Sequence, residues 1–243
     1  MFKIMTFNVR IDVPVDKENG WPYRKQAISE YIKKELPVVL GIQEANQHML
    51  DELMSFLPMY QFIGLPREEG TEYSAILYLK TKAKCLKTDT IWLSDTPRRT
   101  SKFQESAFPR IATMGRFEIQ GKTYDFINTH LDYLSVEVAF KQMKVLVNEL
   151  NNLSDSSVLM GDFNCPPHSI VDLFLRENGW ILPYDETINK QASFHAFTKN
   201  TTGSPIDFIY GRKKIRFHQV FIDQSTTDPI CLSDHYPVLA IID

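Results

Sequence analysis

Apolar, β-branched runs of strand length recur from one end of the chain to the other, many of them separated by gaps no longer than a turn. Phe2 to Val9, Val38 to Ile42, Tyr60 to Ile63, Ser74 to Leu79, Cys85 to Leu93, Ile111 to Ile119 and Thr123 to Thr129 read as strands. Val158 to Met160, Ile206 to Tyr210, Lys214 to Ile222 and Tyr236 to Ile241 follow. Helical periodicity is rarer. It covers Tyr23 to Glu35, with Pro37 beyond its end, a segment from Asn46 to about Leu57, one from Ser135 to about Asn151, and Ser169 to Arg176. Ser135 is followed three residues later by Val138 instead of Glu or Gln, so a cap without a full capping box is expected. Turn-length gaps suit mixed or antiparallel pairing better than a strictly alternating parallel sheet. The pattern predicts an α/β chain with two packed sheets and helices outside them.

With 243 residues, 43% of them apolar, the chain can bury a large core. No Ser/Gly-rich stretch, charge block or internal repeat divides it, so one domain over residues 1–243 is expected. The longest apolar run, near Tyr236 to Ile242, has strand length, and no stable membrane association is expected. The N-terminus alternates like a strand and shows no apolar h-region, which predicts a cytoplasmic protein. Cys85, Cys165 and Cys231 lie far apart and match neither a disulfide framework nor a thiolate zinc spacing. Thirty acidic against 27 basic residues argue against a protein that lives on long duplexes through backbone electrostatics. The cluster Arg212-Lys-Lys-Ile-Arg216 alternates with strand residues and reads as a solvated hairpin.

The polar residues that stand out sit at the ends of the most apolar strands, where a rigid scaffold presents them at one rim. They are Asn8, Gln43-Glu44, Asn128-Thr-His-Leu-Asp132, Gly161-Asp-Phe-Asn164, Pro205-Ile-Asp207 and Ser233-Asp-His-Tyr-Pro237. The set holds carboxylates, carboxamides and histidines. Oxygen donors such as Glu44, Asp234 and the Asn8 amide suit a hard ion, Mg²⁺ or Mn²⁺. His130, His235 and Asn164 suit donation to phosphoryl oxygens, while Asp162 and Asp207 can accept a proton or fix a histidine tautomer. Metal-assisted attack of water on a phosphate ester is the reaction such an inventory serves.

In this order, Thr6-Phe-Asn8, Gln43-Glu44, Asn128-Thr-His-Leu-Asp132, Gly161-Asp-Phe-Asn164, Ile206-Asp-Phe-Ile209 and Ser233-Asp-His-Tyr-Pro237 resemble the endonuclease/exonuclease/phosphatase superfamily, the deoxyribonuclease I-like metal phosphoesterases. The resemblance implies a four-layer α/β sandwich, two packed mixed β-sheets flanked by helices. It implies Glu44 as the principal metal ligand, with Asn8 and Asp234 close to the ion. Asp162 would position or deprotonate the attacking water, Asn164 and His130 would stabilise phosphoryl oxygens, and Asp207 would orient His235 against the scissile phosphate. Glu72 resembles a carboxylate that pairs with His130, and Arg110, in Phe108-Pro-Arg110, a basic residue beside the phosphate. Phe7-Asn-Val-Arg-Ile-Asp12, Trp21-Pro-Tyr-Arg24 and Ile91-Trp-Leu-Ser-Asp-Thr-Pro97 resemble an uncharacterised, mostly microbial branch. That branch carries an Arg shortly after Thr-His-Leu-Asp, where Ala139 stands here, so a basic contact is expected to be missing.

Taken singly, Asn8, Glu44 and Asp162 read as caps or turn residues, and His130 and His235 as satisfied polar histidines; it is the ordered set that favours chemistry. His195 reads equally as a pocket or a loop histidine. Trp21, Trp92 and Phe103 read as core or rim packing in preference to a stacking wall. The expected substrate is a phosphate ester, either a small diester or monoester or a short nucleic acid. The alternatives are a nuclease acting on DNA or RNA and a catalytically silent module that holds a phosphate ligand. No Trp-rich loop of the apurinic endonuclease kind precedes Ser233-Asp-His235, and Ser204-Pro-Ile-Asp207 replaces the inositol phosphatase signature.

Overall fold

The computed structural model describes residues 1–150, 153–228 and 230–243. Among the described residues eleven strands and four α-helices follow one another as β1 (Phe2–Asn8), α1 (Trp21–Glu35), β2 (Val39–Ala45), α2 (Gln47–Phe56), β3 (Tyr60–Ile63), β4 (Tyr73–Leu79), β5 (Ala83–Trp92), β6 (Ile111–Ile119), β7 (Lys122–His130), α3 (Val136–Glu149), β8 (Ser157–Asp162), α4 (Ile170–Glu177), β9 (Asp207–Gly211), β10 (Phe217–Ile222) and β11 (Val238–Ile242). The strands form a six-stranded sheet, β10-β11-β1-β2-β4-β3, and a five-stranded sheet, β5-β6-β7-β8-β9. Each is mixed, and each has one parallel pair near its centre, β1 with β2 and β7 with β8. A parallel pair needs a crossover, and α1 and α3 supply the two.

Alternation along the strands explains the layering. In β1, Met5 and Phe7 join Leu40, Ile42 and the buried faces of α1 and α2, among them Trp21, Ile28, Met49 and Leu53. Ile4, Val39, Ile76 and Ala240 point the other way and meet the second sheet's Phe117, Phe126 and Met160, in a core that extends to Met143 and Leu146 of α3 and Val171 and Leu175 of α4. Two sheets packed face to face between helices are the expected four-layer sandwich.

β2 runs on past the expected Ile42 to Ala45 and β8 past Met160 to Asp162, and other boundaries move where proline or a turn intervenes. α1 begins at Trp21, two residues earlier than expected, because Pro22 occupies its first turn, where the missing N–H costs nothing. β11 begins at Val238, since Pro237 has no ladder donor. β10 is shorter than expected: Arg212 to Ile215 close a turn, with Ile215 N donating to Arg212 O. Ser135 caps α3 through Val138 N at 3.3 Å, without a capping box; the helix end expected at Asn151 lies outside the described residues. All three cysteines are free. Among the described residues no helix is long and apolar enough to cross a membrane.

This topology brings functional side chains to one end of the sandwich. The carboxyl ends of the two parallel pairs carry Asn8, Glu44, His130 and Asp162. β9 runs antiparallel to β8 with Asp207 opposite Asp162, and β11 runs antiparallel to β1, so Asp234 and His235 arrive at the same end. Gly161 makes the close approach of β7 and β8 here feasible: its φ is +146°, and a Cβ would lie 1.9 Å from Thr129 O. Gly161→Ala is therefore expected to destabilise the fold by roughly 3 kcal/mol or more, measured by urea unfolding.

Candidate active site

Asn8 links the two sheets at the floor of a cleft. Its amide nitrogen donates to Glu44 Oε1 at 2.9 Å and to Asp162 Oδ2 at 3.0 Å, while its oxygen accepts from Arg10 N at 3.0 Å. Asn8 thus turns its NH₂, not its oxygen, to the carboxylates. Glu44 Oε2 accepts from Ile11 N at 3.0 Å, and the Arg10 guanidinium, paired with Asp16, lies 3.7 Å from Asp234 and 4.0 Å from Glu44. Glu44, Arg10 and Asn164 hold φ values of 67°, 56° and 50°, a left-handed conformation that non-glycine residues adopt at local cost and that clusters at functional sites.

Asp207 Oδ2 accepts from His235 Nδ1 at 2.9 Å, and His235 Nε2 lies 3.7 Å from Asp162 Oδ2. Burial alone would lower the His235 pKa. The charges of Asp207 and Asp162, with the Asp207 hydrogen bond, outweigh it and lift the imidazole to about 10. His130 lies on the other side of Asp162, with Nε2 3.5 Å from Oδ2. Burial, then the nearby Arg110, His235 and Arg67 charges, hold its pKa well below the usual histidine value, so it is neutral. Burial and the Asp207 charge push Asp162 up to about 7. Asp234 is raised too, by burial and by Glu44.

Asn164 N donates to Asp162 Oδ1, and its side-chain nitrogen donates to Leu131 O at 3.0 Å, which leaves its second amide hydrogen free for the cleft. Glu72 was expected to pair with His130. Its carboxylate instead meets Arg67 Nη2 at 3.0 Å, while the carboxylate beside His130 is Asp162. Arg110 is buried beside Asp132, at 3.9 Å. Ala139, where a basic contact was expected to be missing, is fully buried on α3, and the basic residues of the cleft are Arg10, Arg67 and Arg110. The cleft measures about 680 Å³, and its rim carries the exposed rings of Phe108, Tyr133 and Phe194.

Some strand-end residues support the site from below. Gln43 Nε2 donates to Asn128 Oδ1 at 2.6 Å, and Asn128 donates to Ile42 O and Ala75 O across the sheets. Asp132 accepts from Ser106 and from Ala107 and Leu134 N, holding the loop that carries Phe108. Ser193 Oγ accepts from Ile206 N and Asp207 N, and Phe194 lies 4.9 Å from the His235 ring. His195 does not line the cleft; it stacks on Tyr236 at 4.2 Å. Trp21 is fully buried, and Trp92 donates to Arg67 O, both as packing residues.

Sequence reading assigned no role to Arg10, Arg24 or Arg67. Arg24 is fully buried and donates to Val9 O, Leu232 O and Arg10 O, tying the exit of β1 to the loop that carries Asp234 and His235. The signal available was its place in Trp21-Pro-Tyr-Arg24 and that of Arg10 in Phe7-Asn-Val-Arg10; Arg67 stands outside every motif.

Two mixed sheets packed between helices, with carboxylates, carboxamides and histidines gathered at one end, define a deoxyribonuclease I-like sandwich. The chain belongs to the Endonuclease/Exonuclease/phosphatase family, whose model matches residues 5–235. Solved structures agree. A functionally unknown conserved protein from Enterococcus faecalis V583 is 28% identical, with a TM-score of 0.90 and 99% of both chains covered. An endonuclease/exonuclease/phosphatase from Bacteroides vulgatus is 26% identical, with a TM-score of 0.89, over 100% of this chain and 98% of that one. A mannosyl-6-phosphatase of Bacteroides thetaiotaomicron VPI-5482 shares the fold at 24% identity, with a TM-score of 0.91 and both chains fully covered. No curated protein matches the chain in sequence.

Proposed function

We propose that the protein is a divalent-metal-dependent phosphoesterase. The observation that carries this reading is the Asn8 bridge between Glu44 and Asp162, with the Asp207–His235 pair beside it: a general base, an oriented imidazolium and an acidic pocket within one cleft. The acidic end fits a hard ion. Glu44, Asp162, Asp207 and Asp234 crowd there, and burial raises two of them. Glu44, with Asp234, would hold Mg²⁺ or Mn²⁺, which would supply Lewis-acid polarisation of a phosphoryl oxygen, while Asn8, expected beside the ion, turns its NH₂ to Glu44 and orients that carboxylate.

The remaining work falls to the chain. Asp162 positions water and takes its proton as the water oxygen bonds to phosphorus and the bond to the leaving oxygen breaks. His235, held protonated by Asp207, faces the phosphoryl oxygens, and neutral His130 and the free Asn164 amide hydrogen donate to them. The test is hydrolysis of p-nitrophenyl phosphate and bis-p-nitrophenyl phosphate with Mg²⁺, Mn²⁺ or chelator, with His235→Ala as control. Turnover that needs metal and His235 is expected. Folded protein that turns over neither ester, or turns them over equally well in chelator, would overturn the reading.

The pH profile follows from the two pKa shifts. Asp162 must be ionised, so kcat/KM falls as pH drops through about 7, a limb that a neighbouring cation moves lower. His235 must be protonated, so kcat/KM falls as pH rises through about 10. Asp207→Asn removes a charge that raises His235, and the alkaline limb is expected to move toward neutral pH.

A further inference from the structure

Opposite the acidic pole of the cleft stand two guanidinium groups whose hydrogen-bonding capacity is only partly spent. Arg67 and Arg110 are 8% and 4% exposed and both line the cleft with His130, Asp162 and His235. Arg67 spends Nη2 on Glu72, while Arg67 Nε, Arg67 Nη1 and Arg110 Nε are buried with no partner among the described residues. Phe108 covers the pair, its ring centroid 4.1 Å from Arg67 Cζ and 5.7 Å from Arg110 Cζ. Buried N–H groups without partners are costly; Glu72 and Asp132 answer the two charges but leave those N–H groups unbonded, and an anion seated against the guanidinium edges supplies acceptors.

The hydrolytic reading says which anion. A diester offers two non-bridging oxygens and one negative charge, and His130, Asn164, His235 and the ion suffice for those. A monoester offers a third oxygen and up to two charges. In a diester that third position carries an ester substituent, which satisfies no guanidinium. We propose that Arg67, together with Arg110, binds the third non-bridging oxygen of a phosphomonoester, so that the cleft selects monoesters over diesters. This rests on the phosphoesterase reading and goes beyond it by choosing the substrate class.

The test uses p-nitrophenyl phosphate, bis-p-nitrophenyl phosphate and inorganic phosphate, each at saturating Mg²⁺, with wild type, Arg67→Met and Arg67→Lys. Wild type is expected to prefer the monoester. Arg67→Met should lower the monoester kcat/KM by about 100-fold and the diester value by far less, so that their ratio falls at least about tenfold, with Arg67→Lys intermediate. Calorimetric binding of inorganic phosphate should weaken by about tenfold or more in Arg67→Met. Where Arg67→Met does not fold, Arg67→Lys gives the same comparisons with a smaller amplitude. A ratio and a phosphate affinity that do not respond to Arg67 would overturn the subsite. So would wild-type preference for the diester, or for the internal bond of a 5′-phosphorylated dinucleotide. Phosphate binding that depends on Arg67 without turnover of any ester would keep the anion subsite and sink the hydrolytic reading instead.

Discussion

Asp162→Asn is expected to lower kcat/KM by about 10³-fold or more for any ester the wild-type protein hydrolyses, while the chain stays folded. Asparagine keeps an oxygen for the Asn164 N–H and fills the same volume, but cannot take a proton from water. Phosphate binding should survive, which separates hydrolysis from mere retention of a phosphate ligand. The substitution also has a stability signature. Burial and the Asp207 charge raise Asp162 to about 7 in the folded chain, against about 3.9 for an unfolded aspartate. A folded pKa above the unfolded one means that the native state binds the proton more tightly. This contribution is complete below about pH 4 and is lost as pH rises through about 7. In chelator, the melting temperature of Asp162→Asn relative to wild type should therefore rise by roughly a few degrees between pH 4 and pH 8, on top of a constant cost for the hydrogen bond from Asn8 that asparagine cannot keep together with the one from Asn164 N. Melting curves at three pH values read it directly, and a gap that does not change with pH would show that Asp162 is not the strained group.

Why the sequence told so much about the strand ends and so little about the arginines has a physical reason. β1, β2 and β8 are covered on both faces, and β7 is from Tyr124 onward, so each stands out from its surroundings, and the residue at its end is fixed in space by the ladder. Asn8, Glu44, His130 and Asp162 have short side chains that stay near those ends. Arg10, Arg24 and Arg67 project far from their Cα atoms, and where a guanidinium goes depends on carbonyls and carboxylates contributed by distant segments, such as Leu232 O for Arg24. Glu72 shows the same limit, since its proximity to the site was legible and its partner was not. Residue type alone also misassigns effort: Gln43, Asn128 and Asp132 sit in the same motifs as the reactive groups, yet their hydrogen bonds are spent on the framework. The loops misread in extent, at Trp21 and before Phe217, are those where proline or a tight turn sets the boundary in place of periodicity.

Asp207→Asn and His235→Ala decide whether Asp207 works through the imidazole or as a ligand in its own right. Asp162, Asp207 and His235 present donor atoms within 4.8 Å of one another, a grouping that by distance alone could hold an ion. The hydrogen bond argues for the other role. His235 spends Nδ1 on Asp207 at 2.9 Å, and the charges of Asp207 and Asp162 favour its protonated form, in which it has no lone pair to give a metal. His235→Ala is expected to cost about 10³-fold in kcat/KM, and Asp207→Asn roughly 10- to 100-fold, because its imidazole remains but loses orientation and charge. If Asp207 acts through His235, the double variant is no slower than His235→Ala, since the partner of Asp207 is already gone. A double variant slower by another order of magnitude would assign Asp207 a separate task. Metal binding supplies the independent measurement: Mn²⁺ affinity, followed by calorimetry, should weaken by at least about tenfold in Glu44→Gln and hold within about twofold in Asp207→Asn. The reverse pattern would move the ion from Glu44 to the Asp207 side of the cleft and turn His235 from a proton-bearing donor into a ligand.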